Sequence, residues 1–159
     1  MPQHELHQHF NEQMKKLSME LYGRRMYEVM RFWEDYDRQP GASGIGIDFA
    51  RAWQATPKVV FSTTLGEVGP NTRLIHGDVE GAVRSIKSEI DGEISVSGAG
   101  LAASLGRLGL IDEYRLYVVP VVLGGGKPFF EAGLPLTLKP LGTEQLPQGV
   151  VLLRYALAG

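Results

Sequence analysis

The sequence predicts an α/β sandwich: a mostly parallel central sheet, flanked by helices and completed by antiparallel strands at its C-terminal end. Two patterns predict this fold class. Over the first two thirds of the chain, segments with helical spacing alternate with short β-branched runs, the order that produces parallel strands. From residue 113 onward, strand-like runs follow one another without an intervening helix.

The first half of the chain supplies helices and strands in turn. Leu6, Phe10, Met14 and Leu17 are spaced as on one face of a helix, which predicts a helix over residues 4–17. The following segments predict a strand over 19–22 ended by Gly23, a helix over 24–33, a loop over 37–46, a short helix over 48–53, and strands over 58–64 and 72–76.

The second half begins with a helix that Asp78 is suited to cap. Its predicted apolar face consists of Val79, Ala82, Val83, Ile86 and Ile90. Next come a strand containing Ile94 and Val96, the junction "GAG" at 98–100, a helix ending near residue 106 or 109, and strands over 113–123, 134–142 and 149–157, with a turn over 124–130.

Composition limits the class of protein. The chain has 159 residues, enough for one domain, and a net charge of -2, without the basic excess that nucleic acid or anionic lipid favours. It has no cysteine, which excludes disulfides and thiolate metal sites. No apolar run has the length of a membrane span, and the first residues lack the apolar core of a signal peptide. We therefore expect a cytoplasmic protein with no nucleic-acid or membrane partner.

Two glycines at the junction of a strand and a helix raise the first chemical question. Gly98 and Gly100 either supply the positive φ angles of a tight turn or let an anion approach the N–H groups of the helix start. Residues 98–103 fit the pattern G-x-G-x-x-A. A Rossmann fold is not expected, since no acidic residue ends the next strand. The motif and its context favour a phosphate site.

Two other predicted strand ends carry groups that suit an anion. Gly23 is followed by Arg24 and Arg25, whose guanidinium groups match phosphate oxygens, although a solvated pair bonded to Glu20 or Glu28 is the simpler interpretation.

The strand 58–64 ends in Ser62, Thr63 and Thr64, hydroxyls that can bind a ribose or phosphate or merely bond nearby backbone. If the strands are parallel neighbours, all three ends meet at one edge of the sheet.

Two further patterns are rejected on spacing. His4, His7 and His9 do not have the i, i+4 spacing of a zinc protease motif. Ser97 lacks the preceding glycine of a nucleophile elbow. We therefore expect neither a metal site nor a serine hydrolase.

Together, four segments resemble the reductase domain of the bacterial riboflavin-biosynthesis deaminase-reductases. They are "LYGRRMYEVM", "KVVFSTTL", "ISVSGAGLAASL" and "LGLIDEYRLYVVPVVLGGGKPFF", and the similarity extends over residues 15–157. The resemblance implies a three-layer α-β-α sandwich of the dihydrofolate reductase type and one domain over residues 1–159. It also implies an NADPH-dependent enzyme, usually a homodimer, similar to 5-amino-6-(5-phosphoribosylamino)uracil reductase, that transfers a hydride to a pyrimidine- or pteridine-like substrate.

The resemblance also assigns cofactor-binding residues. Gly98, Ala99, Gly100 and Leu101 match the family's pyrophosphate-binding segment; Gly23, Arg24 and Arg25 match its glycine-arginine motif; Ser62 and Thr63 match the hydroxyls beside the adenosine phosphate. Selection of NADPH over NADH would then depend on Arg24 or Arg25 with those hydroxyls. The resemblance names no catalytic residue.

The chain departs from the family in two places. Met26 stands where relatives usually have threonine, and nothing like the family's first strand, of the type "SLDGYIA", precedes His4. That strand lines the substrate pocket, so the chain is shortened, or another segment replaces the strand, or a partner subunit does. The alternative functions are a dihydrofolate reductase-like enzyme with another substrate and a non-catalytic nucleotide-binding or dimerising module. If the glycines only shape turns, no nucleotide binds.

Overall fold

A computed structural model describes residues 2–126, 128–130 and 132–158. The helices within these ranges are α1 (Pro2–Lys15), α2 (Arg24–Met30), α3 (Gly44–Ala55), α4 (Val79–Glu89) and α5 (Ala99–Arg107). The strands are β1 (Leu17–Gly23), β2 (Lys58–Phe61), β3 (Thr72–Ile75), β4 (Glu93–Ser97), β5 (Glu113–Val118), β6 (Leu138–Gln145) and β7 (Val151–Leu157). Short 3-10 turns lie at Arg31–Glu34, Tyr36–Arg38 and Pro147–Gly149.

The strands form two sheets. β3, β2, β1 and β4 lie side by side in that order and all run parallel, whereas β5, β7 and β6 form an antiparallel sheet. The predicted α/β fold with parallel strands first and antiparallel strands last is confirmed. One detail differs from the expectation: the C-terminal strands form a sheet of their own and do not extend the parallel one.

Helices cover both faces of the parallel sheet. Side chains alternate along each strand, so Leu21 and Tyr22 on β1 point to opposite faces. Leu21 belongs to an apolar cluster with Val83 and Ile86 of α4 and Leu105 of α5. Tyr22 belongs to a second cluster with Met14, Tyr27, Trp53 and Val60, which α1, α2 and α3 help to form. The result is the predicted three-layer arrangement.

The predicted strand over 113–123 is shorter in the structure. β5 ends at Val118, which is paired with Val151, the first residue of β7. The residues before Val151 form a 3-10 turn, so β7 offers no partner beyond Val118. Pro120 also removes a backbone donor. The predicted turn over 124–130 includes Lys127, which lies outside the described residues.

Side-chain contacts connect the two sheets. Arg115 on β5 forms an ion pair with Glu93 on β4. Two residues further along β5, the hydroxyl of Tyr117 is 3.1 Å from Nε2 of His9, and its ring is centred 5.0 Å from that of Phe10 on α1. No ladder joins β4 to β5 in the described residues.

A buried polar network lies between one face of the parallel sheet and α3. The hydroxyl of Tyr22 donates to Glu20, and Nε1 of Trp53 donates to that hydroxyl at 2.9 Å. Nζ of Lys58 donates to the carbonyl oxygens of Trp53 at 2.7 Å and Thr56 at 2.8 Å and lies 4.1 Å from the centre of the Trp53 ring. Burial raises the pKa of Glu20 and lowers the pKa of Lys58 to about 8, despite the attraction between their charges.

The lowered pKa of Lys58 predicts that the protein becomes more stable as the pH rises from about 8 to about 10. In this interval the unfolded chain keeps a proton on Lys58 that the folded protein has lost, so a higher pH favours the folded state. Above about pH 10, the raised pKa of Tyr22 acts in the opposite direction. Each unit of pKa difference is worth about 1.4 kcal/mol, so we expect a gain of about 2 kcal/mol, measured by urea unfolding.

The Lys58→Met variant should lack this gain, since it has no group that titrates at this position. Lys15→Met is the matched control, because Lys15 is half-exposed and forms a surface ion pair with Asp48 at 2.9 Å. Its pH dependence should follow that of the wild type. A Lys58→Met curve parallel to the wild-type curve over the same interval would contradict the assignment.

Candidate functional site

The carboxyl ends of the four parallel strands meet along one edge of the sheet. Gly23 is paired with Phe61 and Tyr22 with Ser97, while Phe61 is paired with Ile75, so the strands end at nearly the same level. The residues at the ends of β1, β2 and β4 are the ones that the sequence singled out. The strands are therefore parallel neighbours, which is the condition under which the sequence predicted that these residues meet at one edge.

Arg24 connects two of these strand ends. It follows β1 directly, and its Nη1 donates to Oγ1 of Thr64 at 2.7 Å, in the segment after β2. Its Nε donates to Glu28 at 2.7 Å, one turn further along α2. The side chain is about half exposed, at 44%. The guanidinium group is thus held in place by two partners and still faces solvent, where an anion can reach it.

Ser62 extends this chain of polar groups and also stabilises its own turn. Its Oγ lies 3.4 Å from Oγ1 of Thr64 and accepts hydrogen bonds from the backbone N–H groups of Thr64 and Leu65, at 3.2 and 3.0 Å. Its carbonyl oxygen is 3.0 Å from Nδ1 of His76, the residue that follows β3. The turn chemistry considered as an alternative for Ser62 is therefore present, and a ligand would compete with it.

The two glycines after β4 differ in what the backbone requires of them. Gly98 has a φ of +106°, a conformation that side chains disfavour, so the turn itself needs glycine there. Gly100 has no positive φ and lies in the first turn of α5. Apart from its chain neighbours and the backbone of its own helix, a Cβ atom built on Gly100 would find no atom of the described residues within 4 Å. The turn therefore explains Gly98, but neither the turn nor packing explains Gly100.

The start of α5 is open to a ligand. Gly98 is the N-cap residue, and it forms no side-chain hydrogen bond to the first N–H groups of the helix. Such groups carry a partial positive charge and favour anions. The segments after β1 and β4 are also close to each other: a Cβ built on Gly98 would be 3.6 Å from Cβ of Met26, and one built on Gly23 would be 4.0 Å from Cβ of Leu101.

The predicted cofactor residues thus lie along one edge of the parallel sheet, where Arg24 contacts the Ser62–Thr64 turn and the Gly98–Leu101 segment lies against Gly23 and Met26. Arg25 and Thr63 are exposed at the same edge, and Ala99 is the first residue of α5. Their role in cofactor binding stays a prediction.

Sequence reasoning named the hydroxyl of Thr64 as a possible ligand group but not among the matched cofactor residues, and it did not assign His76 to the site. A signal for both was present in the sequence. His76 is the last residue of the predicted strand over 72–76, and Thr64 belongs to the hydroxyl run that ends the predicted strand over 58–64.

The N-terminal histidines contact aromatic side chains. The ring of His7 lies 6.2 Å from that of Trp33 and 5.8 Å from that of Phe49, measured between centres, while His9 bonds Tyr117. Among the residues that the structure describes, no group of three or more histidine or carboxylate side chains is placed to hold a metal ion. No helix in the same ranges is both long and apolar enough to cross a membrane.

Comparison with known proteins assigns the family. Residues 1–152 match the model of the RibD C-terminal domain. The chain belongs to this family. Over 148 residues it is 29% identical to the uncharacterized protein YyaP of Bacillus subtilis (strain 168), an alignment that covers 92% of this chain and 77% of YyaP.

Solved structures show the same fold. A putative riboflavin biosynthesis protein from Shewanella sp. PV-4 matches with a TM-score of 0.70 and 19% identity, over 92% of this chain and 77% of that one. RibD of Acinetobacter baumannii matches with a TM-score of 0.63 and 16% identity, over 96% of this chain and 51% of RibD, so this chain spans about half of that protein. A pyrimidine reductase-like protein from Corynebacterium diphtheriae has a TM-score of 0.59 at 10% identity, over 92% and 79% of the two chains. The chain therefore has the α/β fold of these solved structures, as the sequence predicted.

Proposed function

We propose that this protein is an NADPH-dependent reductase that transfers a hydride to a pyrimidine- or pteridine-like substrate. The observation that carries the proposal is the hydrogen-bonded chain Arg24–Thr64–Ser62, at the same sheet edge as the open start of α5. Membership in the RibD C-terminal domain family supports a reductase, and likeness to a pyrimidine reductase-like protein supports the substrate class.

The residues present fit a dinucleotide with an extra phosphate. Backbone N–H groups of Gly98, Ala99, Gly100 and Leu101 would hold the pyrophosphate, since the space over Gly100 is open. Arg24, with Arg25, would bind the 2′-phosphate, because a guanidinium group offers several donors to phosphate oxygens. When bound, NADPH supplies the hydride; the protein fixes the position of its phosphates so that the nicotinamide faces the substrate.

Titration with NADPH tests the cofactor assignment. The nicotinamide fluorescence of NADPH should change on binding to the purified protein, and NADH should bind more weakly. Oxidation of NADPH, followed by the loss of nicotinamide absorbance, should then be measured with a ribosylaminopyrimidine and with dihydrofolate as alternative substrates. Turnover with one of them identifies the substrate class, and a failure of both cofactors to bind contradicts the proposal.

A second candidate function is a non-catalytic nucleotide-binding module of the same fold. An open cleft between β4 and β5 separates the two sheets, and this cleft favours the non-catalytic function. A substrate pocket that needs one continuous sheet would be incomplete at the cleft. NADPH binding without oxidation by either substrate would support this second function.

A further inference from the structure

The loop after β2, residues 62–71, is held near its far end by a buried tyrosine. Tyr27 on α2 is fully buried, and its hydroxyl oxygen accepts a hydrogen bond from the backbone N–H of Gly69 at 2.7 Å. The same hydroxyl donates to Oε1 of Glu34 at 3.1 Å. The hydroxyl thus uses its proton and a lone pair at once, and it joins the loop to α2 and to the 3-10 turn Arg31–Glu34.

Glu34 fits closely against the loop. A Cβ built on Gly69 would overlap the Glu34 carboxylate, so a larger residue at this position would displace it. Nε of Arg31 donates to Oε1 of Glu34 at 3.1 Å, and the Arg31 guanidinium group lies 5.3 Å from the centre of the Tyr27 ring. The carbonyl oxygen of Glu34 accepts from Nε2 of Gln54 at 3.1 Å. The group that accepts the proton of Tyr27 is therefore itself held in place.

The near end of the same loop carries the hydroxyls of the candidate site. Arg24 is bonded to Thr64 there, and Ser62 lies beside Thr64. Arg24 and Tyr27 are three residues apart on α2, and positions with this spacing are neighbours on a helix surface. One short helix therefore holds the loop at two points, through Arg24 at Thr64 and through Tyr27 at Gly69.

The two attachments differ in their surroundings. The bond between Arg24 and Thr64 is exposed, so water competes with it. The hydroxyl of Tyr27 is shielded from water, where a hydrogen bond is stronger and its loss leaves buried partners unpaired. Between the two points, Leu65 and Val68 pack against the apolar cluster that contains Tyr27. The position of the loop therefore depends more on Tyr27 than on Arg24.

We propose that Tyr27 is a positioning residue for the 2′-phosphate of NADPH. By fixing residues 62–69, it keeps Thr64 bonded to Arg24 and so orders the guanidinium group before the cofactor arrives. The pyrophosphate segment, residues 98–101, lies against Gly23 and Met26, and its binding does not depend on the loop. Tyr27 therefore acts on the selection of NADPH over NADH, an inference that rests on the proposed function.

The variant Tyr27→Phe tests the inference, because it removes the hydroxyl and keeps the buried ring. If the ordered loop falls to about a fifth of its population, the Kd for NADPH should rise about fivefold, while the Kd for NADH should change less than about twofold. Tyr36→Phe is the matched control, since the hydroxyl of Tyr36 also accepts a backbone N–H, from Ser43 at 3.1 Å in the loop before α3. Fluorescence titrations with both cofactors measure the constants.

Hydrogen exchange of the cofactor-free protein, followed by mass spectrometry, tests the anchoring itself. Backbone amides of residues 64–69 should exchange faster in Tyr27→Phe than in the wild type, because exchange reports local opening. Exchange in the other elements should stay unchanged, which shows that the variant is folded, and Tyr36→Phe should leave residues 64–69 as they are. Wild-type protection of these amides in Tyr27→Phe overturns the inference.

The titrations separate a failure of this inference from a failure of the proposed function. A wild type that binds neither cofactor overturns both. A wild type that selects NADPH, beside a Tyr27→Phe variant with the same selectivity, overturns the role of Tyr27 alone. Equal weakening of NADPH and NADH by Tyr27→Phe also overturns it, because the effect then does not act through the 2′-phosphate.

Discussion

Replacing Arg24 with alanine should weaken NADPH binding about 10- to 100-fold and leave NADH binding nearly unchanged. The reason is that a hydrogen bond to a charged group contributes about 1.5–3 kcal/mol, and only NADPH carries the 2′-phosphate. Arg24 is positioned by Thr64 and Glu28, so its guanidinium group is already ordered before an anion arrives. Fluorescence titrations of the variant with both cofactors measure the difference.

Arg84→Ala is the matched control for this variant. Like Arg24, Arg84 forms an ion pair with a glutamate four residues away in the same helix. Its partner is Glu80, at 3.0 Å, and the pair lies on α4. Loss of either surface pair should change the stability by less than about 1 kcal/mol. If Arg24→Ala weakened the binding of NADPH and NADH equally, Arg24 would not be the residue that binds the 2′-phosphate. Arg25→Ala would then be the next variant to measure.

Replacing Gly100 with leucine should reduce the affinity for NADPH and for NADH at least about tenfold, which corresponds to about 1.4 kcal/mol. The added side chain would occupy the open space over the start of α5, where the pyrophosphate is proposed to lie. The fold should not suffer, because no atom lies within 4 Å of the added Cβ and leucine is a better helix former than glycine. Thermal unfolding and cofactor titration of the same sample separate the two effects.

Gly98 is a poorer position for this test. Its φ of +106° means that any side chain strains the backbone, so a loss of binding there would not distinguish a steric block from a damaged turn. Gly44→Leu is the appropriate control, since Gly44 also lies in the first turn of a helix and has no atom within 4 Å of an added Cβ. Unchanged NADPH binding by a folded Gly100→Leu protein would place the pyrophosphate elsewhere.

The fold could be predicted from local patterns because its elements have strong ones. The face of α4 is apolar at helical spacing, and Asp78 caps the helix as expected, with Gly81 donating its N–H at 3.1 Å. β2 is a continuous buried run, which is typical of a parallel strand covered on both faces. The convergence of strand ends followed from this, because parallel neighbours end at the same edge.

Features that depend on distant partners could not be predicted in this way. The end of β5 at Val118 is set by where β7 begins, more than 30 residues later in the chain. The apolar run after Val118 has the same β propensity as the strand before it. The separate antiparallel sheet was hidden for the same reason, because the sequence of a strand does not state which neighbour it pairs with.

Individual side-chain roles in the site were predictable only in part. The residues after each strand end were identified, but whether Ser62 bonds its own turn or faces a ligand depends on the path of the next three residues. The contrast between Gly98 and Gly100 also needed coordinates, because the one-letter pattern is the same whether or not the backbone takes a positive φ.

The lack of a ladder between β4 and β5 has a consequence for how the molecule comes apart. Cooperative unfolding needs a free-energy coupling between neighbouring regions, and no backbone ladder of the described residues supplies one across this boundary. The coupling there depends on side-chain contacts, such as those of Arg115 with Glu93 and of Tyr117 with His9 and Phe10. The antiparallel sheet can therefore open while the parallel sheet, which carries Arg24 and Gly100, remains folded.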